Sequence, residues 1–74
     1  MTYTTLSFQA LVFGSPHARR HVTWRADLIA GIQEPDASAP EDARSHIVCS
    51  GGEQFYSPEP TRSLAARWSI ALAS

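Results

Sequence analysis

Lysine and asparagine are absent, cysteine occurs once, and no apolar run approaches the ~18 residues that a membrane-spanning helix needs. Without lysine, the Gly51-Gly52 pair cannot belong to a phosphate-cradling loop of the kind that ends in Lys and Ser or Thr. With one thiol, Cys49, no disulfide within the chain can reinforce the fold, and a lone cysteine suits a reducing compartment better than a secreted scaffold. The opening residues Met1-Thr2-Tyr3-Thr4-Thr5 lack the basic stretch of a signal peptide. A cytoplasmic location without membrane association is therefore expected. No Gly-x-Ser-x-Gly elbow is present to present a nucleophile.

Excess charge is lacking too. Six basic residues, all arginine, stand against seven acidic ones for a net charge of −1, and the isoelectric point is near 6.2. Bulk electrostatics thus supply no reason to bind nucleic acid or an acidic membrane.

What remains is enough for one small domain spanning residues 1–74. A chain of this length buries only about 60% of the surface its unfolded form exposes, so self-association or a tight partner is the natural reinforcement. Two Trp, two Tyr and three Phe within a 43% apolar composition supply the large side chains of a small core.

The most legible stretch is Ser45–Tyr56, where β-prone runs flank Gly51-Gly52. A two-residue turn centred on the glycines would place Cys49 opposite Gln54, Val48 opposite Phe55 and Ile47 opposite Tyr56. That register predicts Val48 and Phe55 on one face, with Ile47, Cys49 and Tyr56 on the other. Between Tyr3 and Phe13, Leu6, Phe8, Ala10 and Val12 recur with period two, which predicts a first strand halted by Gly14-Ser15-Pro16. A second strand is expected from Val22 to about Leu28, antiparallel to the first; a helix carrying Trp24, Leu28 and Ile32 at i, i+4 and i+8 is the competing reading. Residues 34–44 mix acids with Pro, Ala and Ser and read as an exposed acidic loop. After Ser57-Pro58-Glu59-Pro60, Thr61 is placed to cap a helix with Leu64, Trp68 and Leu72 along one stripe, Ala65 and Ala71 beside them and Ile70 off it.

These elements predict a small β-rich α+β domain, an antiparallel sheet of about four strands with a C-terminal helix; an all-β small barrel is the alternative. Three constellations bear on function. His17, His21, His46 and Cys49 are chemically able to ligate zinc, yet His46 and Cys49 would point to opposite faces of one strand. Paired with a histidine, Cys49 could act as a nucleophile, but a single cysteine in a strand is far more often core. Arg19, Arg20 and Arg25 form the one basic cluster, suited to carboxylate or phosphate recognition. Trp68 and Ile70 on the helix add an apolar contact for a partner or a second copy. The expected function is a non-enzymatic protein-binding module, an inhibitor or regulatory subunit with no cofactor, with a protein partner and at least a weak homodimer. A nucleic-acid-binding regulator using the arginines is the alternative, and a zinc module the third.

Overall fold

The computed structural model describes residues 4–12 and 15–73, and of residues 15–17 the backbone alone. The expected turn at Gly14 and the ends of the first strand at Tyr3 and Phe13 lie outside the described residues. The chain runs β1 (Thr5–Val12), β2 (Ser15–Arg25), a 3-10 turn (Ala26–Leu28), β3 (Ile29–Gln33), β4 (Ser45–Cys49), β5 (Gln54–Ser57) and α1 (Thr61–Ala73). This is a small α+β domain. Its strands divide between an antiparallel pair, β1-β2, and an antiparallel three-stranded sheet in the order β3-β4-β5. No barrel closes: β1 lies beside β5, and α1 packs against β1, β3 and the 3-10 turn.

The period-two pattern of β1 does what a half-buried strand requires, putting Leu6, Phe8 and Ala10 inside. β2 pairs with β1 from Thr5↔Arg25 to Leu11↔Arg19. It ends at Arg25, sooner than the alternation suggested, because the 3-10 turn intervenes and changes the phase: Ala26 and Ile29 are buried while Leu28 is 40% exposed. An irregularity between Ile29 and Gly31 then allows Ile29 and Ile32, three residues apart, to face Cys49 and Ile47 respectively. Strict alternation would send those two isoleucines to opposite faces.

The register of the glycine hairpin differs by one residue from the expected one. The pairs are Val48↔Gln54, Ile47↔Phe55 and His46↔Tyr56. A two-residue hairpin turn centred on Gly51-Gly52 needs positive φ at the first of them, but of the two only Gly52 adopts it, at 95°. The loop therefore takes in Ser50, with Gly52 N–H donating to Cys49 O (3.1 Å) and Cys49 N–H donating to Glu53 O (2.9 Å). The slip reassigns the faces. Ile47, Cys49 and Phe55 join the core, while His46, Val48, Gln54 and Tyr56 turn to the outer side.

Phe55 is the aromatic centre of the interior, with Phe8 at 5.5 Å and Trp24 at 5.2 Å, both edge-to-face. Leu64 seals this core from the helix side with Trp68 packed beside it. Ala71 completes the inward stripe, and Leu72, expected on it, is 49% exposed. Thr61 does not cap the helix. Its hydroxyl donates to Arg44 O (3.0 Å), tying the helix start to the entrance of β4, while Pro60 O receives the Leu64 N–H at 3.1 Å.

Ser45 and Ser57 face each other across β4 and β5, both fully buried. Ser57 Oγ accepts the Glu59 N–H at 3.1 Å, whereas Ser45 Oγ has no hydrogen-bond partner among the described residues. Removing an unsatisfied hydroxyl relieves a desolvation penalty, so Ser45→Ala should leave stability unchanged or raise it by about 1 kcal/mol. Ser57→Ala, which orphans a backbone donor, should lower it by about 1–2 kcal/mol. Urea denaturation midpoints of the two variants check the contrast.

Candidate interaction surface

The main-chain groups along the two outer edges of the β1-β2 pair follow from one hydrogen bond. Ala26 N–H donates to Thr4 O (3.0 Å), so with the one-to-one register the even-numbered residues of both strands direct their backbone groups at each other. Odd-numbered residues direct theirs outward. On β1 these include Ser7 and Gln9, and one group of each is taken: Gln9 N–H donates to Glu59 Oε2 (2.9 Å) and Arg67 Nη1 donates to Ser7 O (3.1 Å). Arg67 and Glu59 are themselves joined at 2.7 Å. This ion pair, one partner before the helix and one within it, stoppers the edge of β1 where β5 runs alongside without ladder bonds.

On β2 the outward groups belong to Arg19, His21 and Thr23. No other described strand pairs with that edge. Residues Ala18, Arg19, Arg20 and His21 are all exposed in succession, so this half of β2 is in solvent on both faces.

Arg19 and Arg20 alternate across the strand. Arg20 borders a shallow cleft of about 320 Å³ whose other walls are Leu11, Val12, Phe55 and Gln54. Arg19 lies at a second cleft, shared with Glu41, Asp42 and Arg44. Neither forms an ion pair with another described residue. Arg25, expected in the same cluster, is turned to Asp27 through two bonds of 3.0 and 2.6 Å. The hydrogen bond from Arg25 holds the Asp27 carboxyl below the usual range. The arginines thus do not converge on one patch.

Trp68 is half-buried, and its indole N–H donates to Ala26 O at 2.8 Å, locking the helix onto the 3-10 turn. Ile70 is 69% exposed on the other side of the helix. The two candidate contacts of α1 therefore sit in different surroundings, one structural and one open to solvent.

His46 is buried between the glutamines of the neighbouring strands. Gln33 Nε2 donates to its Nδ1 (3.2 Å), its Nε2–H donates to Gln54 Oε1 (2.8 Å), and its ring stacks on Tyr56 at 4.6 Å. Both ring nitrogens are occupied. Cys49 lies on the opposite face of β4, buried in the core, where desolvation and then the charge of Glu53 raise the pKa of its thiol. His21 is exposed on β2, and the side chain of His17 is outside the described residues. Among the described residues no group of three His, Cys, Asp or Glu side chains is arranged to hold a metal ion. No helix among them is long and apolar enough to cross a membrane.

The sequence reading missed the Glu59–Arg67 stopper and the outward backbone of His21 and Thr23. Both depend on strand order and register, which leave no local mark on composition. No family model, curated protein or solved structure matches the chain.

Proposed function

We propose that this chain is a small non-enzymatic protein-binding module, an inhibitor or regulatory subunit of the cytoplasm, that meets its partner at the outer edge of β2. One observation carries the reading: of the two edges of the same sheet, that of β1 is stoppered by Glu59 and Arg67, while that of β2 offers the backbone groups of Arg19, His21 and Thr23 to solvent. An unpaired strand edge is a template for another strand, and main-chain hydrogen bonding to such an edge is a common mode of peptide recognition. The unpaired thiol of Cys49 fits a reducing compartment. The nucleic-acid reading draws less support, because Arg25 is engaged by Asp27 and Arg19 and Arg20 point to opposite faces.

A photo-crosslinking amino acid at His21, expressed in the native host, tests this reading. Capture of a protein of defined mass from position 21, and not from Ala66 on the outer face of the helix, is the expected result; no crosslink from position 21 contradicts it. Ile70 and Leu72, 69% and 49% exposed, favour a second contact with another copy of the chain. That contact would make the thermal midpoint rise with protein concentration.

A further inference from the structure

We infer that the β2 edge takes an extended, acidic segment of a foreign protein, laid antiparallel or parallel along Arg19–Thr23, with one of its carboxylates paired to Arg20 at the mouth of the Leu11, Val12 and Phe55 cleft. The inference rests on the protein-binding reading and adds the class of partner. The backbone supplies affinity: at Arg19, His21 and Thr23 the N–H and C=O groups point away from β1 and have no partner among the described residues. Side chains supply the selection. Arg20 is exposed, without an ion-pair partner among the described residues, and it stands beside an apolar floor with Gln54 as a further polar wall. A carboxylate fits there because guanidinium binds it through two parallel hydrogen bonds, and the apolar floor accommodates the methylenes of a Glu side chain or a neighbouring aliphatic residue.

A second copy of β2 is the obvious rival occupant of the edge. Antiparallel self-pairing about Arg20, with Arg19 opposite His21, would set the two Arg20 side chains directly against each other. Like charges facing each other across a strand pair destabilise it. The charges that discourage self-pairing are the same ones that attract an acidic strand, so selection of the foreign segment follows from one feature.

The test uses the intact chain and three synthetic nine-residue peptides: alternating Val and Glu, the same with Lys for Glu, and the Glu peptide N-methylated along both edges. Amide chemical shifts of the protein are followed by NMR during titration. The expected result is that the Glu peptide shifts Arg19, His21 and Thr23, that the Lys peptide does not, and that methylation abolishes the effect. Arg20→Glu should weaken binding of the Glu peptide about tenfold or more, with the fold intact by circular dichroism, because a rim charge is reversed. Equal binding of Glu and Lys peptides, or indifference to Arg20→Glu, overturns the inference while a crosslink from position 21 would still uphold the protein-binding reading. Shifts confined to surfaces away from β2 overturn it too. So does a dimer joined through β2 in the absence of peptide.

Discussion

Phe8→Ala is expected to leave the chain largely unfolded at room temperature. Phe8 is 2% exposed and packs edge-to-face on Phe55 at 5.5 Å, so it joins the β1-β2 pair to the three-stranded sheet at a place where β1 and β5 share no ladder. Truncating a buried Phe costs about 3–5 kcal/mol, from lost transfer energy and the cavity left behind. A domain of this size has only about 4–11 kcal/mol to lose, and one lacking disulfides belongs near the lower end. Urea titration followed by Trp fluorescence should show a midpoint near zero denaturant for Phe8→Ala and a well-defined midpoint for Phe8→Leu. A Phe8→Ala midpoint within a few tenths molar of the wild type would mean that the two sheets do not share a core through this ring.

Ile47→Ala comes next in size, and its value lies in comparison with Val48→Ala. Ile47 is fully buried opposite Phe55, whereas Val48 is half-buried on the outer face, opposite Gln54 and beside Gly31. Loss of about 2–5 kcal/mol is expected for Ile47→Ala and less than about 1 kcal/mol for Val48→Ala. The two-residue turn would have put Val48 against Phe55 as a core pair. Equal losses, or a larger one at Val48, would restore that register.

That one-residue slip illustrates which parts of the fold were legible. The first strand, the acidic loop and the C-terminal helix each carry a local signal: period-two apolar residues from Leu6 to Ala10, alternation of acids and prolines from 34 to 44, and helix formers with Leu64, Trp68 and Ala71 inward. In the loop, Asp36 Oδ1 accepts both the N–H (3.0 Å) and the hydroxyl (2.7 Å) of Ser38, a turn device that such composition favours. The hairpin was legible as a hairpin, because Gly-Gly between β-prone runs has few other uses. Its register was not, since Ser50 can either extend the strand or enter the loop, and its pinning to Leu28 O by Ser50 N–H at 2.8 Å is a tertiary contact.

The segment from Val22 to Ile32 was ambiguous for a related reason. A 3-10 turn and a strand irregularity shift the apolar phase twice within a few residues, so neither period two nor period 3.6 fits throughout. Of the candidate contacts, Arg19, Arg20 and Ile70 are on the surface, while Arg25 and Trp68 are drawn into bonds with Asp27 and Ala26. Composition marks an arginine or a tryptophan but does not say whether a partner lies two residues away or across the fold. The edges of the sheet, on which the functional reading depends, become visible only once strand order is known.

Hydrogen exchange of the free chain at micromolar concentration, resolved residue by residue by NMR, tests the contrast between those edges most directly. The amide of Gln9, held by Glu59, should be protected at the level of the β1-β2 ladder, and Glu59→Ala should release it. The amides of Arg19, His21 and Thr23 should exchange at nearly the rate of an unstructured peptide, while the inward amides of Arg20 and Val22 stay protected. Protection alternating in this way along β2 is the predicted result; uniform protection of residues 19–23, or rapid exchange at Gln9, would contradict it.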